Sequence, residues 1–187
     1  MSIKEVYRKV LVKRREEIVK GLGRYQEKMM GGCLGDLVEA IGNRRVVAGY
    51  YPMKNEFDCG FIVKYLLSLG YRIGLPCVEE GSRLLVFREW NGNEEGLILG
   101  KFNTKEPGKD YPVVIPEVIL VPMLGFNSEF NRIGYGGGYY DFTLKEYFGS
   151  ISIGLAFSDQ YCIDLPVSSH DIPLSLIFTE KGFFNNK

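Results

Sequence analysis

The sequence predicts an α/β protein with a three-layer αβα architecture, a mostly parallel central sheet and a single domain spanning residues 1–187. Short apolar runs typical of buried strands alternate with segments of helical spacing, which is the pattern of strand–helix–strand units. A glycine-rich loop joins one such strand to a helix. A chain of 187 residues is also long enough to bury one good core.

Charge and composition exclude several classes of function. Lys and Arg together number 23, as do Asp and Glu, so no global field would draw the protein to nucleic acid or a membrane. No apolar run reaches membrane-spanning length, and residues 1–20 lack the apolar core of a signal peptide. The cysteines have no metal-binding or paired spacing, which fits reduced thiols. We expect a cytoplasmic monomer in which any phosphate site is built locally.

The apolar spacing of the N-terminal segment predicts an amphipathic helix. The helix would begin at a capping box, with Ser2 as N-cap and Glu5 three residues later. Lys4 and Arg8, four residues apart, share one stripe of this helix and can reach one target together. A solvated charged face is the alternative, and spacing alone favours it. The apolar stripe of the helix comprises Ile3, Val6, Tyr7, Val10 and Leu11.

The middle of the chain predicts a strand–helix–strand unit followed by a hairpin. The apolar runs at 84–87 and 97–99 flank Asn91-Gly92 and are expected to pair, and residues 101–112 predict a polar surface connection. Glu56 follows the first strand, at the sheet edge where open α/β sheets bind ligands. The earlier elements are a helix over 34–41, a strand over 46–51, a helix over 61–69 capped by Asp58, and a strand over 72–76.

The C-terminal half contains the glycine loop, Asn131–Asp141, which is the strongest candidate for a functional site. Its pattern Gly134-x-Gly136-x-Gly138 lets the backbone approach an anion closely, and the following helix start offers free N–H groups. The spacing matches neither a dinucleotide fingerprint nor a Walker A loop, so a tight structural turn is the alternative. The surrounding elements are strands over 118–121, 151–157 and 174–179, a helix over 142–148, and a frayed tail over 182–187.

Seven motifs follow one another along nearly the whole chain. They are Lys4-x-x-x-Arg8, Tyr51-Pro52-x-x-x-Glu56, Leu75-Pro76, Val121-Pro122-x-x-Gly125-Phe126, Asn131-Arg132-x-Gly134-x-Gly136-x-Gly138-Tyr139-Tyr140-Asp141, Gly154-Leu155-Ala156-Phe157-x-x-Gln160 and Pro166-x-x-x-His170-Asp171. In this order the chain resembles the 5-formyltetrahydrofolate cyclo-ligase family, also called methenyltetrahydrofolate synthetases. The block ending at Asp141 is specific, and the others are weak individually. The family usually has Asp where this chain has Asn127, often Gly at Phe130, and often Arg at Phe142.

The resemblance implies an ATP-dependent, Mg²⁺-requiring cyclisation of 5-formyltetrahydrofolate to 5,10-methenyltetrahydrofolate, with release of ADP and phosphate. A formamide oxygen is a poor leaving group, so it must be phosphorylated before N10 can close the ring. Phosphoryl transfer needs positioning and charge stabilisation rather than a protein nucleophile. That suits a chain in which no Ser-His or Cys-His pairing is visible.

The resemblance also implies a nucleotide site. Lys4 and Arg8 would approach the ATP phosphates from the N-terminal helix, and Arg132 would neutralise charge from the loop side as the catalytic residue. The loop would complete the set with Gly134, Tyr135, Gly136, Gly137, Gly138, Tyr139 and Tyr140.

By the same resemblance, Asp141 and Asp171 would hold Mg²⁺ through carboxylate oxygen, the hard ligand that this ion prefers. The alternatives are a helix-start cap for Asp141 and a turn-forming role for Asp171. His170 is the only histidine, and we expect it to orient Asp171.

For the folate, the resemblance implies contacts from Tyr51, Glu56, Tyr135 and Tyr139, with Glu56 accepting hydrogen bonds from the amine-rich face. The tyrosines of the loop can stack on flat rings, although tyrosines beside a sheet more often belong to the core.

Two other functions stay open at this stage. One is a different enzyme on the same scaffold, such as a sugar-phosphate isomerase or a CoA transferase relative, which would not consume ATP. The other is a nucleotide-binding module that has lost turnover.

Overall fold

A computed structural model describes residues 1–22 and 32–185. Its helices are α1 (Ile3–Leu22), α2 (Leu34–Ile41), α3 (Gly60–Ser68) and α4 (Tyr139–Glu146). Its strands are β1 (Val46–Ala48), β2 (Arg72–Val78), β3 (Leu85–Trp90), β4 (Leu97–Leu99), β5 (Lys105–Pro107), β6 (Val118–Pro122), β7 (Gly125–Phe126), β8 (Arg132–Ile133), β9 (Ile151–Leu155), β10 (Leu176–Thr179) and β11 (Gly182–Phe183). Short 3₁₀ turns cover Glu94–Gly96, Lys101–Asn103 and Ser158–Gln160.

Seven of these strands form one sheet in the order β11-β10-β9-β6-β1-β2-β3. The five strands from β10 to β2 pair in parallel, and only the two edge strands are antiparallel. This confirms the predicted α/β class with a mostly parallel sheet. Within the described residues no helix is both long and apolar enough to cross a membrane.

The central strands carry apolar side chains on both faces, as strands covered by helices on both sides must. Val118 and Leu120 of β6 pack in a cluster with α2 and α3, whereas Ile119 and Val121 pack in a second cluster with Leu144 of α4. Alternate residues of one strand therefore build two separate cores, and the three predicted layers follow from that alternation.

The predicted pairing of the hairpin is wrong. Strand β3 pairs with β2 rather than with the 97–99 run, because the chain reverses at Gly81, whose φ is +75°. Strand β4 instead pairs with β5 in a two-stranded ribbon. The expected surface connection over 101–112 thus holds a strand and a tight turn in which Phe102 and Asn103 both have positive φ.

The C-terminal tail is also more ordered than the sequence predicted. Gly182 and Phe183 form the edge strand β11, and Phe183 packs edge-on against Phe178 at 5.1 Å between ring centroids. Phe184 contacts the rings of Phe126 and Tyr161, each at 5.2 Å. Burial of these rings outweighs the tendency of a chain end to fray. The last two residues of the predicted tail lie outside the described residues.

Helix α1 begins at the predicted capping box. The Glu5 N–H donates to Ser2 Oγ at 3.3 Å, and the Ser2 N–H donates to Glu5 Oε2 at 2.6 Å. The predicted apolar stripe is only partly buried, since Leu11 is 2% exposed whereas Ile3 and Val10 are 66% and 58% exposed. The side chains that face the protein form a mixed stripe, which combines Tyr7 and Leu11 of the predicted stripe with the cationic side chains of Lys4, Arg8 and Arg15.

Candidate active site

The glycine loop connects β8 directly to α4 at the carboxyl edge of the sheet. Gly138, with φ +73°, is the N-cap of α4, so the helix begins at Tyr139 and three residues earlier than predicted. The loop therefore ends on the free N–H groups of the first helical turn, which is an arrangement suited to an anion.

Arg8 of α1 lies on this loop. Its Nε donates to the carbonyl oxygen of Gly134 at 3.0 Å. At Gly136, where φ is +97°, a Cβ would come within 2.8 Å of Arg8 Cζ. Gly136 is thus required both by its conformation and by the guanidinium beside it. The fully solvated interpretation of Arg8 is wrong.

Lys4, one turn earlier on α1, forms an ion pair with Asp171 at 2.5 Å, with side chains 19% and 18% exposed. Asp171 also accepts the Ser168 N–H at 2.7 Å, so its turn-forming role is real as well. Burial alone raises the pKa of the Asp171 carboxyl, but the Lys4 hydrogen bond and the Ser168 N–H hold that pKa below its ordinary value. His170 is exposed, so we attribute the orientation of Asp171 to Lys4 and Ser168 rather than to the histidine.

Arg132 is buried, and its guanidinium bridges two groups. Nη2 donates to Asp141 Oδ1 at 2.7 Å, and Nη1 donates to the Ile172 carbonyl at 2.6 Å. The Ile172 N–H in turn donates to Asp141 at 3.2 Å. The Asp141 side chain is therefore bonded across the site, and the alternative that it caps its own helix is wrong. We call Lys4, Arg132, Asp141 and Asp171 the metal corner.

The donor set of the metal corner fits Mg²⁺ bound together with phosphate. This ion keeps several waters and takes one or two carboxylates plus substrate oxygens. Among the residues that the structure describes, no group of three or more acidic, histidine or cysteine side chains could hold an ion. Asp141 and Asp171 would then provide the protein ligands of an ion whose other ligands come from water and nucleotide.

Beside the metal corner, an open depression of about 570 Å³ separates the start of α1 from the glycine loop. Its lining carries the cationic side chains of Arg8 and Lys9 and one carboxylate, Glu5, so its side chains are positive by one unit. The lining residues are Met1, Glu5, Arg8, Lys9, Tyr135 and Gly136.

Glu56 lies in a separate and more buried cluster. Only 6% of its surface is exposed, and its Oε2 accepts the Met53 N–H at 2.8 Å. Burial raises the pKa of Glu56, while the Met53 N–H and the charge of Arg15 oppose that rise. The Glu56 charge in turn helps to raise the pKa of the Tyr140 hydroxyl, after burial, and also acts on Tyr135. We call Arg15, Glu56, Tyr135 and Tyr140 the Glu56 cluster.

The loop tyrosines divide between these regions and the β4–β5 ribbon. Tyr135 is 47% exposed, which excludes a core role. Tyr139 and Tyr140 pack against the apolar core that contains Leu144, so the core alternative holds for these two rings. Tyr139 receives a hydrogen bond from Lys101 at 3.0 Å and packs edge-on against Phe102. Tyr51 lies under the ammonium of Lys105, 5.4 Å from its ring centroid. The predicted folate residues therefore lie partly in the Glu56 cluster and partly against the ribbon.

Comparison with known proteins bears on the chemistry of this arrangement. The sequence profile of the 5-formyltetrahydrofolate cyclo-ligase family matches residues 1–180. The chain belongs to this family. It is 30% identical to the 5-formyltetrahydrofolate cyclo-ligase of Escherichia coli over 140 residues, covering 71% of this chain and 76% of the relative. It is 34% identical to that of Haemophilus influenzae over 135 residues, covering 68% and 72% of the two chains.

Two solved structures share the fold of this chain. The Aquifex aeolicus 5,10-methenyltetrahydrofolate synthetase superposes with a TM-score of 0.77 at 28% identity, covering 97% of this chain and 92% of that one. The Mycoplasma pneumoniae 5,10-methenyltetrahydrofolate synthetase, at 23% identity and TM-score 0.65 over 94% and 98%, supports the fold alone. The chain is thus a ligase by family.

The departures of this chain from the family pattern have local explanations. Asn127 Oδ1 accepts the N–H groups of Glu129 and Asn131, so it organises the turn before the loop. Phe130 has φ +60°, a conformation that glycine adopts more easily. Phe142 is exposed and lies under the guanidinium of Arg83, 5.6 Å from its ring centroid. Arg83, from the connection between β2 and β3, therefore brings a guanidinium to the place where the family often has an arginine at position 142.

Arg15 is a further side chain beside the glycine loop, and none of the seven motifs includes it. It is 2% exposed and contacts Tyr135 of the glycine loop. The available signal was its spacing, because Arg15 stands seven residues after Arg8 and so falls on the same face of the helix.

Proposed function

We propose that this protein catalyses the ATP- and Mg²⁺-dependent cyclisation of 5-formyltetrahydrofolate to 5,10-methenyltetrahydrofolate, with release of ADP and phosphate. The observation that carries the proposal is the convergence of α1 on the loop and the carboxylates. Arg8 reaches Gly134 across 126 residues of sequence, and Lys4 reaches Asp171 across 167. Two cations, a glycine loop and two carboxylates thus meet at one edge of a cyclo-ligase fold.

The reaction is a phosphoryl transfer followed by ring closure. The formyl oxygen attacks the γ-phosphorus and ADP leaves. N10 then attacks the formyl carbon and loses its proton, and phosphate departs with the former formyl oxygen. Neither step needs a protein nucleophile, so the task of the protein is to position the two substrates and to stabilise charge.

The residues of α1 and the loop would meet the nucleotide. Arg8 and the N–H groups after Gly136 would hold phosphate oxygens, and Lys4 would contribute charge from beside Asp171. Arg132 would act on the charge that grows during transfer, from its place behind Asp141. A bound Mg²⁺ would neutralise phosphate charge, with Asp141 and Asp171 as its protein ligands.

The folate would occupy the side of Glu56. Glu56 is a buried acceptor, and a pteridine offers amine and ring N–H donors of matching chemistry. Tyr135 and Tyr139 would offer flat rings on the loop side, and Tyr51 on the ribbon side. The buried setting of Glu56 would make each hydrogen bond to it stronger than in water.

The test is incubation of purified protein with 5-formyltetrahydrofolate and MgATP while the near-ultraviolet absorbance of the methenyl product is followed. We expect product only when ATP, Mg²⁺ and folate are all present, with one ADP formed per product. Product without ATP would favour a different enzyme on this scaffold. ATP binding without folate-dependent ADP release would indicate a binding module that has lost turnover.

We further propose that the protein works as a cytoplasmic monomer on a small-molecule reduced folate, without a nucleic-acid or membrane partner. Light scattering at working concentration would contradict the monomer if it gave twice the mass of 21.2 kDa.

A further inference from the structure

Arg15 carries a buried charge that the fold alone does not explain. It is 2% exposed, and its Nη1 donates to the Met123 carbonyl at 3.2 Å. Its Nη2 donates to the Tyr135 hydroxyl, and its Cζ lies 5.5 Å from the Tyr135 ring centroid. Its Nε is the one fully buried side-chain nitrogen or oxygen without a partner in the described part of the chain. A buried, incompletely bonded cation destabilises a fold relative to an apolar side chain of similar size.

The partner of Arg15 stands at the boundary between two regions. Tyr135 lines the depression between α1 and the glycine loop with Arg8 and Gly136, and after burial the charge of Glu56 also raises the pKa of its hydroxyl. It is therefore the side chain common to the proposed nucleotide and folate sites. A shift of this ring would change the alignment of the two substrates.

The chemistry of the contact fixes the direction of the hydrogen bonds. A guanidinium has donors only, so the Tyr135 oxygen must accept from Arg15. The hydroxyl hydrogen of Tyr135 then remains available to donate to another acceptor. With the ring held under the guanidinium as well, both the position and the donor role of Tyr135 are set by Arg15.

We propose that Arg15 is a positioning residue of the cyclo-ligase reaction, which holds Tyr135 as a hydrogen-bond donor to an acceptor oxygen of the reactants where the nucleotide and folate sites meet. This inference rests on the proposed function. Arg15 acts through Tyr135 and does not itself touch the reacting atoms.

The experiment compares Arg15→Met, Arg15→Lys, Tyr135→Phe and the double variant Arg15→Met/Tyr135→Phe. Misplacement of a reacting group by about 1 Å can cost roughly 100-fold, so we expect kcat to fall about 10- to 100-fold in Arg15→Met and Tyr135→Phe. The KM for ATP should change less than about threefold. The double variant should be no worse than the poorer single variant, because both changes remove one interaction. Arg15→Lys keeps the charge and should recover part of the rate.

The matched control is Arg14→Gln. Arg14 is the neighbouring residue on the same helix, is exposed, and donates to the Tyr161 carbonyl at 3.1 Å, away from the loop. We expect wild-type kcat from this variant. We also expect Arg15→Met to keep or raise the melting temperature, since it removes a buried charge. A purely structural Arg15 would instead lose stability and rate together.

Full additivity in the double variant, or wild-type kcat in Arg15→Met or in Tyr135→Phe, would overturn the proposal. If Arg15→Met does not fold, Tyr135→Phe and Arg15→Lys decide the question in the same way.

A second readout separates this inference from the proposed function. The difference in ultraviolet tyrosinate titration between proteins with Tyr135 and with Phe at this position reports the Tyr135 pKa. Burial raises the Tyr135 pKa and the Arg15 charge opposes that rise, so the pKa should rise further in Arg15→Met whether or not methenyl product forms. An unchanged titration would contradict the contact itself, whereas absence of product from the wild type would contradict the function.

Discussion

The metal corner and the Glu56 cluster lie on the same edge of the sheet but differ in how their charged side chains are partnered. At the metal corner every named charge is paired, Lys4 with Asp171 and Arg132 with Asp141. In the Glu56 cluster the carboxylate accepts a backbone N–H from Met53, and the Arg15 Nε has no partner in the described chain. Each charge of the metal corner thus has a direct ionic partner, whereas Glu56 and Arg15 attract each other without forming an ion pair in the described part of the chain.

This difference shows where ligand binding must rearrange the protein. In the proposed Mg²⁺ site, the carboxylates of the metal corner would have to share or exchange bonds that they already make. A folate entering the Glu56 cluster would instead add hydrogen bonds to groups whose desolvation cost is already incurred. Charges should therefore stabilise the fold at the metal corner and destabilise it in the Glu56 cluster.

The largest expected effect comes from breaking the metal corner at Arg132. Arg132→Ala removes the proposed transition-state cation and the partner of Asp141. Cations in this role are worth about 10³–10⁵ in rate in the best cases, and one sharing the task with Lys4 and Arg8 should be worth about 10²–10³ in kcat. Stopped-flow measurement of methenyl formation at saturating MgATP checks this.

The control for Arg132 is Arg72→Ala, which breaks the exposed ion pair with Glu89 and should leave kcat unchanged. Arg132→Ala should also lower the melting temperature, because it leaves Asp141 without its ion pair. Loss of ATP affinity with kcat unchanged would show that Arg132 serves binding rather than turnover.

The next effect sharpens the contrast by removing charge from the Glu56 cluster. Glu56→Gln keeps the size but weakens hydrogen bonds to folate, and a charged hydrogen bond is worth about 1.5–3 kcal/mol, so kcat/KM for folate should fall roughly 10- to 100-fold. Burial raises the folded-state pKa of Glu56, so its ionisation at neutral pH costs stability. The variant should therefore melt at the same or a higher temperature, opposite to Arg132→Ala.

The raised pKa of Glu56 also predicts how kcat/KM for folate depends on pH. The ionised acceptor is lost as pH falls through the raised pKa, so kcat/KM for folate should decline on an acid limb above the ordinary glutamate value of about 4.3. Glu56→Gln should abolish that limb, and the exposed Glu39→Gln should retain it. An identical limb in Glu56→Gln would assign it to another group.

A third change separates loop shape from loop charge. Gly136→Ala places a Cβ against Arg8 at a φ of +97°, and a side chain in this conformation costs about 1–2 kcal/mol. We expect ATP affinity to weaken roughly tenfold, with kcat changed less. Gly149→Ala, whose Cβ would meet nothing within 4 Å, is the control. Calorimetric titration with a non-hydrolysable ATP analogue would measure both.

The sequence predicted best what is encoded locally. The apolar strand run at 118–121, the capping box at Ser2 and the glycine loop each carry their signal within about ten residues, and each is confirmed in place. The motif order also identified the family. Lys4, Arg8, Arg132 and Asp141 all lie within such local signals.

The predictions that were wrong concern features that depend on contacts between residues distant in sequence. The partner of β3 depends on the turn at Gly81, and local patterning at 84–99 cannot reveal it. Burial of α1 is set by the loop and the β7–β8 ribbon, so a stripe that mixes Leu11 with charged side chains faces inward while Ile3 and Val10 face outward. Arg15 was missed for the same reason, because arginine is rarely buried and spacing alone does not predict that it will be.

The smallest expected effect tests whether the Lys4–Asp171 pair stabilises the fold as the comparison requires. The Asp171 pKa lies below its ordinary value in the folded protein, so the ionised carboxylate stabilises the native state. That contribution is present above the unfolded pKa and is lost as pH falls through the folded one. Lys4→Met should cost at most about 1 kcal/mol at pH 7, since the pair is partly exposed. The difference from wild type should shrink below about pH 4.

Lys13→Met, which removes an exposed charge on the same helix, should show neither effect. Denaturant melts of the three proteins at pH 7 and pH 3 decide the matter. A Lys4→Met protein that is as stable as wild type at pH 7 would mean that the paired charges of the metal corner serve the ligand alone, and the contrast with the Glu56 cluster would then lie in geometry rather than in stability.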